Sequence, residues 1–325
     1  MAQTAQSGYA GADMRLGAGQ LEKRTAALSS IAAAVGLTGL KIIIGLWSGS
    51  LGILAEAAHS GMDLLGSLVT YIAVRLSGKP ADSDHPYGHG KAEHLSALFE
   101  TVLLLLTCAW IIRESVDRLA AQRVLVDASV WTFTVMAVSI AVDVVRSRLL
   151  FRIAAKHRSQ ALEADALHFQ TDMWSSAVVI LGLAGVRIAT WFPGLGFLQK
   201  ADAVAALLVA GLVTVVSVRL GIRTIEGLMD TSPSGAAEQI KAKVETIREV
   251  MDCHAVRVRH SGPNYFVDLH VTLDGRQPLQ DAHAVTERVE QMVSEVLPGA
   301  DVTVHPEPTA ASDDPSHGPG PQAPA

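Results

Sequence analysis

Six apolar blocks fill most of the chain before residue 230, and they limit its fold more than any other feature. They lie at about Thr25–Trp47, Leu51–Val74, Leu95–Ile112, Val130–Val145, Leu167–Ile188 and Ala203–Val218. A bilayer core satisfies no backbone N–H or C=O, so a crossing segment must be a helix of roughly 20 mostly apolar residues. The fourth and sixth blocks are short and are expected to extend into their flanks. Ser48-Gly49-Ser50 leaves room only for a tight hairpin between the first two. After residue 230 the apolar residues fall in short alternating runs instead. The pattern predicts an α-helical membrane protein with six transmembrane helices, followed by a soluble domain. Only 18% of the residues are charged, against about 25% in a soluble domain.

Basic residues orient the blocks. Arg15, Lys23 and Arg24, then Arg75, Lys79 and Lys91, then Arg146, Arg148, Arg152, Lys156 and Arg158, then Arg219 and Arg223 fall on one side. The other side has Arg113, Arg118, Arg123, Arg187 and Lys200. The richer side is expected to be cytoplasmic, with both termini there. A net charge of −6 argues against nucleic acid as a partner. Cys108 and Cys253 are the only cysteines, one in each half, so any metal must be held mainly by His and carboxylates. Met1–Gln20 has no apolar run to serve as a secretory signal, and it reads as a disordered N-terminus over residues 1–20.

Charges inside a bilayer are costly and tend to be functional. The second block holds His59 and Asp63, and the fifth holds His168 and Asp172. Both pairs are spaced i, i+4 and so share a helical face. One such pair can simply glue two helices together. Two matched pairs can supply two imidazoles and two carboxylates, a set that suits a tetrahedral ion such as Zn²⁺. Lys41, Glu56, Glu100 and Asp143 are single charges. Glu56, one turn before His59, can support it. Lys41 and Glu100 read as packing or snorkelling groups, and Asp143 as a partner of Arg146 or Arg148.

The loop between the second and third blocks carries Asp82, His85 and His89 among Pro86, Gly88 and Gly90. Those residues forbid regular helix and let the loop close round an ion. In the soluble half, Ala236–Val250 and Leu279–Val296 read as amphipathic helices. His254–Arg259, Asn264–Leu273 and Asp301–His305 read as strands. The order αββαβ predicts a small α+β domain with one helical layer on a three-stranded sheet. His270 alternates with apolar neighbours and should point away from the core. His254, His270, His283 and His305, with Glu307, suggest one or two peripheral metal sites. The expected organisation is therefore residues 21–229 transmembrane, 230–308 a soluble metal-binding domain, and 309–325 a disordered tail rich in Pro, Gly, Ala, Asp and Ser.

The stretches Gly49-Ser50-Leu51-Gly52-Ile53-Leu54-Ala55-Glu56-Ala57-Ala58-His59-Ser60-Gly61-Met62-Asp63, Gly88-His89-Gly90-Lys91-Ala92-Glu93 and Glu163-Ala164-Asp165-Ala166-Leu167-His168 followed by Asp172 are specific in combination. With them the chain, from about residue 20 to 308, resembles the cation diffusion facilitator family, most closely its bacterial zinc/proton antiporters. The resemblance implies a homodimer in the cytoplasmic (inner) membrane, with six spans per subunit and a metallochaperone-like cytoplasmic domain. It implies efflux of a divalent cation, zinc first and Cd²⁺, Fe²⁺, Co²⁺ or Mn²⁺ as alternatives, with protons as counter-ion. It further implies a transport site at His59, Asp63, His168 and Asp172, and a loop site at Asp82, His85 and His89. The remaining implications are a cytoplasmic binuclear site at His254, His270, His283 and His305, where zinc is structural or regulatory, and a Lys91–Asp230 bridge. The chain departs from the family in two places. Some zinc/cadmium members have Asp where His59 stands, which bears on selectivity. Glu307 replaces the family's Asp after the last His and follows Pro306, which bears on the cytoplasmic site.

Two other classes remain. A membrane metalloenzyme would need an open metal position and a general base, but there is no HExxH and all four candidate ligands are committed. A metal sensor or scaffold would bind metal and move none.

Overall fold

The computed structural model describes residues 2–49, 51–121, 130–191 and 198–309. It divides into two compact units, Met1–Met229 and Asp230–Ala325. The first contains six long helices: α1 (Ala2–Ser48), α2 (Leu51–Ser77), α3 (Ala92–Ala121), α4 (Val130–His157), α5 (Gln160–Trp191) and α6 (Leu198–Leu228). Segments of α1, α3 and α6, over Gly19–Ser48, Ala92–Asp117 and Val204–Leu228, are long and apolar enough to cross a membrane. Helices α2, α4 and α5 have 27, 28 and 32 residues, about 40 Å or more at 1.5 Å per residue. They carry the two His–carboxylate pairs together with Asp143, Arg146 and Asp165. Residues 2–20, expected to be disordered, are instead the first turns of α1. The stretch has no proline and five alanines that favour helix, against four glycines, Gly8, Gly11, Gly17 and Gly19, that weaken it. The tail expected to be disordered lies, from residue 310 on, outside the described residues.

Helix α1 packs along α2, α3 along α6 and α4 along α5. Large apolar side chains such as Trp47, Leu106, Trp110, Leu181, Leu208 and Leu212 point outward, while Ala26, Ala27, Ala97, Ala161, Ala164 and Ala166 are buried. That inversion suits a lipid solvent, in which small residues let helices approach closely. The α1–α2 hairpin turns at Gly49, whose φ of +66° is a left-handed conformation that glycine adopts without a Cβ penalty.

The second unit runs α7 (Ala236–Val244), β1 (Asp252–Ser261), β2 (Asn264–Leu273), α8 (Leu279–Val296), β3 (Asp301–Pro308). This is the expected αββαβ order. The sheet order is β1-β2-β3, with β1 and β2 antiparallel and β2 and β3 parallel. Val267, Leu269 and Val271 of β2 pack with Ile240 and Val244 of α7 and Val285, Val289 and Val293 of α8. Both helices thus cover one face of the sheet. Helix α7 stops at Val244, short of Val250, where the Thr246 N–H turns to the Lys243 carbonyl at 3.2 Å and the Ile247 N–H to the Val244 carbonyl at 3.0 Å, so that tighter i→i−3 bonds replace the α-helical pattern.

Candidate metal centre

In the first unit, α2 and α5 bring the two i, i+4 pairs together. His168 Nε2 lies 3.1 Å from Asp63 Oδ1 and 3.5 Å from Asp172 Oδ2. His59 Nε2 lies 4.0 Å from Asp63 Oδ1 and 3.9 Å from Asp172 Oδ1. Ligand atoms of His59, Asp63 and Asp172 all fall within 4.8 Å of one another. Ligand atoms so placed can converge on one ion, and two imidazoles with two carboxylates fill a tetrahedral shell. His168 is buried, whereas the His59 side chain is 41% exposed.

A cavity of about 380 Å³ reaches the cluster and is lined by Lys41, Glu56, His59, Trp110, Asp143 and Ser176 among others. Its residues lie toward the end of the bundle where α1 turns into α2. Lys41 there donates to Glu56 Oε2 at 3.0 Å and Ser60 Oγ at 2.7 Å. Glu56 is therefore held by Lys41 and gives His59 no hydrogen bond of the kind expected from its spacing. Lys41 is an ion-pair partner and not a snorkelling group.

Toward the other end the interior is closed. Arg146 stacks 3.5 Å over the Phe169 ring. It donates to Ser30 Oγ at 3.0 Å and Ser67 Oγ at 3.4 Å and faces Asp143 Oδ1 at 3.5 Å. The same two serines donate to Asp165, at 3.1 and 3.3 Å. Further along, Lys23 donates to Glu93 at 2.7 Å, Ser77 donates to the same carboxylate at 2.8 Å, and so does Ser159. Asp165, His168 and Asp172 share a face of α5 by their i, i+3, i+7 spacing, so Asp165 could have been suspected from sequence. Nothing in the sequence pairs Lys23 with a residue 70 positions away. Glu100, read as a packing group, is buried 3.6 Å from His168 Nδ1.

The loop residues also converge. Asp82 lies 3.3 Å from His85 Nδ1 and 3.4 Å from His89 Nε2, and the imidazole centroids are 4.3 Å apart. The His85 backbone N–H donates to Asp82 Oδ1 at 2.7 Å and holds that carboxyl below its usual pKa. Lys91 donates to the Leu228 carbonyl at 3.3 Å.

In the second unit, His254, His270 and His305 stand in register across the three strands, on the face away from the helices. Ligand atoms of His254, His270 and Glu307 lie within 4.8 Å of one another. His305 stacks 4.8 Å from His270, centroid to centroid. His270 lies 2.8 Å from Glu307 Oε1, and this contact lowers the Glu307 pKa. Pro306 does not prevent this, since residues 305 and 307 alternate with it along β3. His283 is not brought to the cluster within one chain. It sits on α8, 71% exposed, 3.7 Å from Glu287 one turn on, because α8 buries Val285 and Val289 against the opposite face of the sheet.

A family model described as "Cation efflux transmembrane domain" matches residues 27–229. The dimerisation module described as "Cation efflux protein, cytoplasmic domain" matches residues 233–309. The cation-efflux pump FieF of Yersinia enterocolitica is 32% identical over 290 residues, covering 88% of this chain and 93% of the relative. The FieF of Serratia proteamaculans is 33% identical over 291 residues, covering 88% and 92%. The metal-bound C-terminal domain of the CzcD transporter from Thermotoga maritima is 29% identical, covering 24% of this chain and 92% of that one, with a TM-score of 0.22. With both halves matched in order and relatives similar over nearly their whole length, the chain belongs to the cation diffusion facilitator family of cation-efflux transporters.

Proposed function

We propose that the chain is a homodimeric antiporter of the inner membrane that moves a divalent transition metal, zinc first, out of the cytoplasm in exchange for protons. The carrying observation is that the two i, i+4 pairs of α2 and α5, His59 with Asp63 and His168 with Asp172, meet in one cluster, and that His59, Asp63 and Asp172 line a cavity. All six helices of the first unit then span the bilayer, with both termini on the cytoplasmic side that the basic residues favour.

Two imidazoles and two carboxylates bind Zn²⁺ only when deprotonated, so metal and protons compete for the same atoms. Imidazole titrates near 6.5 when unperturbed, which makes it the natural proton carrier between a neutral cytoplasm and a more acidic exterior. The cavity lies on the side of the α1–α2 hairpin with Arg146 among its lining residues, and Phe169 and Glu93 are buried beyond it, an arrangement suited to releasing metal outward. The loop set Asp82, His85 and His89 and the sheet set His254, His270, His305 and Glu307 hold peripheral zinc, with His283 offered toward a partner subunit. Purified protein in proteoliposomes, assayed for flux of Zn²⁺, Cd²⁺, Fe²⁺, Co²⁺ and Mn²⁺ with and without a pH gradient, tests the reading. Gradient-dependent zinc flux is the expected result. Metal binding without flux would make the chain a sensor or scaffold instead.

A further inference from the structure

Two glutamates lie seven residues apart on α3, and seven residues bring a helix back to nearly the same face. Glu93 is held by three donors, Lys23, Ser77 and Ser159. Glu100 is 1% exposed, and neither of its carboxylate oxygens has a hydrogen-bond partner among the described residues. A buried carboxylate without a donor costs several kcal/mol, so a structural role would be a poor use of one. The group that faces it is His168, with Nδ1 3.6 Å from Oε2. That nitrogen also has no hydrogen bond, while Nε2 of the same ring is turned to Asp63 and Asp172. The imidazole thus stands between the ligand cluster and a lone carboxylate. Gly66 of α2 makes the space, since a Cβ there would lie 2.7 Å from Glu100 Oε1.

We propose that Glu100 is a positioning residue for the metal. It accepts the Nδ1–H of His168, so that Nε2 keeps its lone pair and is aimed at the cation. A neutral imidazole has one protonated and one free nitrogen, and the partner of the first decides which one can ligate. A carboxylate behind a metal-bound histidine also raises the basicity of the ligating nitrogen. The separation of 3.6 Å is too long for a hydrogen bond. A small rotation of either side chain closes it when the ring settles on an ion. The proposal rests on His168 being a ligand, as in the proposed function.

The test uses the full-length protein in detergent with the outer clusters disabled by Asp82→Ala and His270→Ala, so that zinc competition with a chelating dye reports the membrane site. In that parent, Glu100→Leu should weaken zinc binding by about 10- to 100-fold. Glu100→Gln, whose amide oxygen can still accept, should lose less. Gly66→Ala, which displaces the carboxylate without altering it, should weaken binding in the same direction. Thermal stability should not fall in Glu100→Leu or Glu100→Gln, because both remove an unpaired buried charge. In a His168→Gln background, Glu100→Leu should have an effect below about threefold, since the two residues act as one unit. Zinc affinity within about threefold of the parent in Glu100→Leu, or an undiminished effect without His168, overturns the proposal. A loss of affinity that tracks a fall in melting temperature overturns it as well. A parent that binds no zinc refutes the membrane site itself, and that control separates the two failures.

Discussion

The Lys23–Glu93 pair allows a quantitative test of how the bundle is closed. Both side chains are buried, Lys23 Nζ is 2.7 Å from Glu93 Oε1, and Ser77 and Ser159 complete the carboxylate's shell. One carboxylate thereby ties the end of α2 and the turn before α5 to α1 and α3, at the end of the bundle away from the cavity. Lys23→Met keeps the aliphatic stem but leaves Glu93 charged with two hydroxyl donors. Glu93→Gln leaves the ammonium with an amide. Removing one partner of a buried pair costs ~3–5 kcal/mol, chiefly because the other charge stays desolvated. The double variant has no such orphan, so it should recover at least ~2 kcal/mol of the summed single losses. Equilibrium unfolding in mixed micelles measures all four proteins. The same pair also holds this end shut, so each single variant should open it. At 1.4 kcal/mol per tenfold, the loss raises the open population by a factor of about 10² or more if the open state no longer makes the contact. A cysteine introduced at Ala26, buried here, should then react faster with a water-soluble maleimide. Single variants losing under ~1 kcal/mol, or losses that simply add, would refute the claim that the pair is desolvated and coupled.

Four further outcomes follow from the sites. Asp63→Ala or Asp172→Ala should abolish zinc flux in proteoliposomes while leaving a folded dimer by size-exclusion chromatography, and near-normal flux would remove that residue from the site. His59→Asp exchanges a half-exposed imidazole for a carboxylate that binds through one or two oxygens, so competitive flux should show a higher cadmium-to-zinc ratio; an unchanged ratio would exclude His59 as the selectivity residue. In a monomeric fragment from Asp230 onward, calorimetry should show zinc binding weakened at least ~10-fold by His270→Ala and unchanged by His283→Ala. In that fragment without metal, the Glu307 pKa is depressed by His270. The stability of that contact should be present above the ordinary glutamate pKa and lost as pH falls through the lowered value, with proton NMR of His270 as the reporter.

Local features were legible because local spacing encodes them. The i, i+4 pairs His59/Asp63 and His168/Asp172 announced themselves by helical geometry, and the αββαβ order followed from where the apolar period changes. His270 could be assigned to the outer face of β2 because strand residues alternate. Helix ends were less legible: α7 stops early where i→i−3 backbone bonds replace the α-helical pattern, and α1 begins at Ala2 although four glycines stand in the first 20 residues.

The sequence by itself determined which residues are candidate ligands, since two His–carboxylate pairs at i, i+4 each lie on one face of a separate helix. Only the tertiary structure decided which of them meet and what surrounds them. Glu56 sits a turn from His59, yet its partner is Lys41 on α1. Glu100 reads as a single packing or snorkelling charge on an apolar helix, yet packing turns it toward His168 Nδ1 with no donor of its own. His283 reads as one of five clustered ligands, yet α8 holds it on the far side of the sheet from His254 and His270. The physical reason is the same in each case. Periodicity gives the face of a helix or strand on which a side chain lies, but its neighbour is chosen by the crossing of elements far apart in the chain, and that depends on the packing of all of them together.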